Sequence, residues 1–165
     1  MRRLTRIAAN AALLLMLCLG TAACSNDSCY DNGNSLPLAT FYVGDNQQNI
    51  TGLTVMGIGA PGDSLLLDSA SVNEVFLPLR ATTTSSSFLF QRWMRTADTD
   101  PVLCRDTLTI DYEPIEYFHS IECGAMFNFD VKRLNCTTHG IDSVVLLTRL
   151  FTNSRTPAVR IHFAQ

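Results

Sequence analysis

Along most of this chain, apolar and polar residues alternate with a period of two. In RDTLTIDYEP (105–114), Leu108, Ile110 and Tyr112 fall on one side, with Thr107, Thr109 and Asp111 on the other. AMFNFDVK (125–132) sets Phe127, Phe129 and Val131 against Asn128, Asp130 and Lys132, and AVRIHF (158–163) sets Val159, Ile161 and Phe163 against Arg160 and His162. Successive side chains of a strand point to opposite faces, so this alternation predicts strands buried on one face. Six more short apolar runs are strand candidates: LATFYV (38–43), LTVMGI (53–58), SLLL (64–67), EVFLPL (74–79), SFLFQRW (87–93) and SVVLLTRL (143–150). No stretch of about 12 residues beyond the N-terminal segment carries the apolar stripe of an amphipathic helix. About nine short strands divided by Gly, Pro, Asn, Asp and Ser predict an all-β domain over residues 36–165. The expected architecture is an antiparallel β-sandwich of immunoglobulin-like or related topology.

The segments between the runs read as turns. GIGAPG (57–62) fits the spacing of a dinucleotide-binding loop, but Pro61 lies inside it and a strand-like run follows where a helix would be needed, so it predicts a hairpin turn. TTTSSS (82–87) leads into a strand as a loop or an edge. YEPIEYF (112–118), with its proline and two acids, reads as a turn.

The first residues follow a different pattern. Arg2, Arg3 and Arg6 precede IAANAALLLMLCLGTAA (7–23), which has no charge. A basic start, a short apolar run and small residues make an export signal. At 17 residues the run is short of the ~20 that a spanning helix needs. Thr21, Ala22 and Ala23 before Cys24 resemble the bacterial lipobox, although Thr21 stands where that pattern prefers Leu. The organisation expected is a leader over residues 1–23, cleavage before a lipidated Cys24, and a tether over residues 24–35.

Removal of the leader changes both charge and cysteine chemistry. The remaining 142 residues make one domain and carry a net charge of −6, because three Arg and no acid leave with residues 1–23. An acidic exported domain is a poor match for nucleic acid, whose phosphates require a basic face. Cys18 leaves with the leader, so Cys29, Cys104, Cys123 and Cys136 remain beside Cys24. Four cysteines outside the cytoplasm suggest two disulfides, with three connectivities open.

LTVMGIGAPGDSLLLD, FLPLR, DTLTIDY, SIECGAMFNF and IDSVVLLTRLFT with VRIHF resemble a family of uncharacterised Bacteroidetes cell-envelope lipoproteins over most of residues 29–163. The resemblance implies an outer-membrane location and a Cys29–Cys123 pair that ties the tether to a late strand. It leaves Cys104 and Cys136 to pair with each other, and implies no activity.

The remaining chemistry is sparse. His119, Cys123, Cys136 and His139 are ligand types suited to zinc, but exported cysteines are more simply disulfides, and no metal or cofactor is expected. DTDP (98–101) and DNGN (31–34) do not form a full calcium loop. Asp111, Glu113, Glu116 and Glu122 crowd one region and carry the alternative of a carbohydrate hydrolase working with two carboxylates. Phe41, Tyr42, Phe88, Phe90 and Trp93 fit core positions better than a sugar platform. Asp63-Ser64-Leu65, Asp68-Ser69-Ala70, Asp106-Thr107-Leu108 and Asp142-Ser143-Val144 resemble an O-glycosylation pattern of Bacteroidetes exported proteins. Ser69, expected in a loop, is the favoured acceptor, followed by Ser64. No nucleophile elbow or zinc-protease helix motif occurs. The expectation is a non-enzymatic binding or structural module, joined to the membrane through lipid, with an envelope protein as its possible partner.

Overall fold

The structure, a computed structural model, describes residues 36–60, 64–95, 100–121 and 124–164, without the side chains of His119 and Ser120. The expectations for residues 1–35, Cys24, Cys29, Glu122 and Cys123 therefore lie outside the described residues.

Among the described residues, eleven strands form two sheets: β1 Leu38–Val43, β2 Asn46–Gln47, β3 Ile50–Ile58, β4 Leu65–Val72, β5 Glu74–Phe76, β6 Ser85–Met94, β7 Val102–Ser120, β8 Gly124–Cys136, β9 Ile141–Leu146, β10 Leu150–Phe151 and β11 Pro157–Phe163. Each of the nine apolar runs falls on a strand. The excess comes from the two-residue β2 and from a break at residues 147–149, which splits SVVLLTRL into β9 and β10. The larger sheet runs β10-β8-β7-β6-β3-β4, and the smaller runs β2-β1-β11-β9 with β5 on the other edge of β1 beside β2.

One pairing departs from the antiparallel expectation. β1 and β11 are parallel, with Phe41 opposite Ile161. Parallel neighbours need a long crossover, and the chain between these first and last major strands supplies one.

The alternating residues meet between the sheets. Ser86, Phe88 and Phe90 of β6, and Asp106, Leu108, Ile110 and Tyr112 of β7, are buried against Phe41, Val159, Ile161 and Phe163. Phe41 meets Phe163 edge-on at 5.4 Å and Phe90 at 6.4 Å, in the T-shaped geometry that aromatic quadrupoles favour.

A bulge in β8 resets its period. Asp111 pairs with Arg133 but Tyr112 pairs with Val131, so Lys132 is the extra residue. Before it, Phe129 and Val131 face inward; after it, Leu134 and Cys136 turn toward the core. The same slip lets two consecutive cations, Lys132 and Arg133, both reach carboxylates.

YEPIEYF is not a turn. β7 continues through it to Ser120, paired with β8 as far as Gly124. The β6 ladder ends at Asp111, and beyond the Tyr112 N–H, which donates to the Thr84 carbonyl at 2.9 Å, only one edge of β7 is paired. Pro114 is tolerated there because its missing N–H can face the open edge. The result is an arm, residues 113–120 with 124–128, that runs past the β6 partner strand. β3 and β4 are antiparallel neighbours, as a hairpin through GIGAPG requires; of its described residues, 57–60, Gly59 has φ +69° and the Gly57 N–H donates to the Ser64 carbonyl at 3.0 Å.

Candidate functional site

The densest polar chemistry lies where β7, the residues after β8 and the start of β9 converge. Asp106 sits on the inward face of β7, only 2% exposed. Its Oδ1 accepts from the Thr137 hydroxyl at 2.8 Å and the His139 N–H at 2.7 Å. Its Oδ2 accepts from the Gly140 and Ile141 N–H groups at 2.7 and 2.9 Å. The chain turns here from one sheet to the other, and the three N–H groups have no strand partner on that side. Burial alone would push the Asp106 carboxyl up, but the His139, Gly140, Thr137 and Ile141 donors outweigh it and hold the group below its ordinary value. The site is a charged staple between β7 and β9.

Its neighbours are a cation, a thiol and an imidazole. Arg92 donates through one Nη to the Ala164 carbonyl, and its guanidinium lies 5.2 Å from the centre of the Phe163 ring. Burial lowers its pKa, while Cys104, Asp142 and Asp106 pull the other way. His139 places Nδ1 3.1 Å from Asp106 Oδ1, with its side chain 67% exposed. Cys104 lies against Gly140: a Cβ on that glycine would sit 2.9 Å from the Cys104 Cβ, so the close approach itself requires glycine. Cys104 and His139 line an open recess of about 510 Å³ with Val102, Leu103 and Arg105.

The cysteines correct one expectation. Cys104 and Cys136 are both free thiols. Cys136 stands opposite Leu108, four residues along β7 from Cys104. At ~3.3 Å per residue the offset is ~13 Å, about twice the ~7 Å Cα limit of a disulfide. Burial pushes the Cys136 thiol up to about 11, with the Asp106 charge adding to the effect. A thiol so disposed is a poor nucleophile and a poor metal ligand at neutral pH. Among the described residues no three His, Cys, Asp or Glu side chains gather as a metal site. Cys136 and His139, two of the four zinc candidates, are spent on the Thr137 carbonyl and Asp106 respectively.

Of the acids of the hydrolase alternative, Asp111 and Glu113 occupy the outer face of β7 at the root of the arm. Asp111 accepts from Arg133 Nε at 2.9 Å and from the Ser85 hydroxyl at 3.0 Å, and Arg133 chiefly holds its carboxyl below the ordinary range. Lys132 bridges Glu113 at 3.1 Å and Asp130, drawing Asp130 down as well. Glu116 is exposed. A glycosidase acid needs a carboxyl held protonated near neutrality, and Asp111 and Asp130 are biased the opposite way. None of the described acids among these lines the open recess beside Cys104 or the two smaller, half-open ones of about 220 and 230 Å³. Those volumes are below the ~300 Å³ at which small-molecule sites begin.

The aromatic residues divide as core chemistry requires. Phe41, Phe88 and Phe90 are buried, Tyr42 lies under the Arg160 guanidinium at 4.5 Å, and Trp93 alone is largely exposed at 65%. Ser69 is not in a loop. It occupies a bulge of β4, at the edge of the larger sheet, where the register slips between the Leu53–Ala70 and Val55–Leu67 pairs. Its φ is +46°, its N–H donates to the Thr54 hydroxyl at 3.1 Å, and it is exposed. Ser64 is also exposed, just before β4.

Sequence reasoning missed a second hub, the Tyr112 hydroxyl. It donates to the Arg80 carbonyl at 2.9 Å, receives the Arg80 N–H at 3.0 Å, and lies 2.7 Å from the Ser86 hydroxyl. An inward tyrosine facing an inward serine, both at strand positions otherwise apolar, was the available signal.

Comparison with known proteins adds a family and no activity. No curated protein and no solved structure matches the chain. The profile of a family described as of unknown function matches residues 52–163, from within β3 to the end of β11. β1 and β2 lie before the matched region.

Proposed function

The chain belongs to DUF6452, a family of unknown function, and from that premise we propose that it is a lipid-anchored cell-envelope protein whose β-sandwich is a non-enzymatic binding or structural module. The observation that carries the reading is the N-terminal sequence: three Arg, a 17-residue uncharged run, and Thr21-Ala22-Ala23 before Cys24. An acidic mature chain and a site whose acids are committed to cations and backbone N–H groups agree with a module that binds through its surface. Outer-membrane residence, an envelope protein partner and a Cys29–Cys123 disulfide belong to the same proposal. For the disulfide, Leu36 is seven residues from Cys29, a reach of at most ~25 Å.

Intact mass and N-terminal sequencing of the protein from native membranes test the anchor. A chain beginning at Cys24 with a diacylglycerol thioether and an N-acyl group is expected, and Cys24→Ala should abolish both. A free N-terminus elsewhere, without acyl mass, overturns the reading. The same spectrum reports a glycan on Ser69 and the two-proton loss of a Cys29–Cys123 bond.

A further inference from the structure

The arm leaves the sandwich at the end where the chain enters it. Pro37, just before β1, lines one recess with Leu150, Phe151 and Pro157. Phe151 pairs with Phe129, and Phe129 with Pro114, so the entry point and the root of the arm are neighbours. β1 runs away from this end and β7 runs toward it. Beyond Tyr112, the last inward tyrosine of β7, residues 113–120 extend the strand by eight residues, ~26 Å at ~3.3 Å each. The outer part exposes three apolar side chains, Ile115 at 42%, Phe118 at 69% and Ile121 at 91%, alongside the exposed Glu116.

We infer that this arm seats Phe118 and Ile121 in the headgroup–acyl boundary of the bilayer that holds the N-terminal lipid, an inference that rests on the lipid-anchor reading above. Length argues for that occupant. The twelve residues 24–35 span at most ~43 Å, so the entry end of the domain cannot stand farther than that from the membrane. An arm of ~26 Å from the same end covers most of the distance even with the chain taut. Charge sets the mode of contact. A mature net charge of −6 offers no attraction to anionic headgroups, so seating depends on apolar side chains. Each such side chain, once buried, raises partition roughly tenfold or more. Two or three of them act like a single acyl chain, too weak to anchor alone. Their effect on a lipid-held domain is orientation, with the Asp106 end of the sandwich turned away from the bilayer.

Fluorescence quenching by phosphatidylcholine carrying brominated acyl chains tests this on the full lipidated chain. Trp93 serves as an internal control, since it pairs with Leu103 near the opposite end of the larger sheet. Phe118→Trp in a Trp93→Phe background should be quenched severalfold more than Trp93 in the native chain, with a blue shift on vesicles. Ile121→Ser in that background should reduce the quenching. An unquenched Phe118→Trp on vesicle-bound protein overturns the arm while leaving the anchor intact. Failure of the native chain to float with vesicles overturns the anchor instead, and the arm is then judged with the Cys24→Ala chain at high lipid concentration. A blue shift that grows with protein concentration without vesicles means a second copy covers the tip, which also overturns the inference.

Discussion

Asp106→Asn is the sharpest test of how this fold is held at the β8–β9 crossing. The substitution keeps size and shape but removes the charge and turns one acceptor oxygen into an NH2 donor. In one orientation that NH2 faces the Gly140 and Ile141 N–H groups; in the other it faces the His139 N–H and the Thr137 hydroxyl, which can turn and accept. Hydrogen bonds to a charged group contribute about 1.5–3 kcal/mol each; one is lost even in the better orientation, and the others lose their charge assistance. Relief from burying a carboxylate offsets part of that loss, leaving a destabilisation of about 2 kcal/mol. A domain of this size has about 5–15 kcal/mol in total, so the change is large. Urea unfolding at neutral pH should show a lower midpoint at unchanged slope, because the surface exposed on unfolding stays the same. Amide exchange at residues 139–141 should accelerate more than at β3. The pH dependence supplies a second check. The folded-state pKa of Asp106 is depressed, so its contribution is complete above the ordinary value of 3.8 and disappears as pH falls through the lower folded value. The gap between wild type and Asp106→Asn should therefore narrow at acid pH. A neutral-pH loss below about 1 kcal/mol, or a gap that stays constant on acidification, would refute the staple.

Three further outcomes follow from the same geometry. Tyr112→Phe leaves the Arg80 N–H and carbonyl without their side-chain partner and should cost about 1–2 kcal/mol, read as a lower urea midpoint. Gly140→Ala should destabilise by about 1–3 kcal/mol through overpacking; Cys104→Gly should restore part of the loss, whereas Cys104→Ala, which keeps the contacting Cβ, should not. In folded protein Cys136 should resist iodoacetamide at pH 8 and react on unfolding, since burial holds its thiol up at about 11; rapid native labelling mapped to Cys136 by peptide mass would contradict that assignment.

What was legible in the sequence is what a period of two can carry. Alternation at Leu108, Ile110 and Tyr112, or at Val159, Ile161 and Phe163, requires strands, and the same residues became the core. Local chemistry also marked the GIGAPG hairpin, because Gly59 needs a left-handed φ that other residues resist. YEPIEYF was misread because proline and acids signal a turn only when both strand edges are paired. Whether β7 keeps a second neighbour beyond Asp111 is a matter of where β6 begins, 26 residues away. The cysteine pairing failed for a similar reason. Counting cysteines gives possible partners, but register sets distance, and β7 and β8 place Cys104 and Cys136 four residues out of step.

The staple shows the same division most clearly. In sequence, Asp106-Thr107-Leu108 is one of the four glycosylation-like triplets, and nothing local separates it from Asp142-Ser143-Val144. Only the crossing from β8 to β9 brings three unpaired N–H groups from residues 139–141 onto one of those carboxylates and buries it. The sequence by itself determined the strands and their inward faces, because both depend on neighbours two residues apart. Tertiary structure decided the parallel closure of β1 on β11, the overhanging arm and the charged staple. Each of these depends on which distant backbone groups are left without a partner once the sheets are formed.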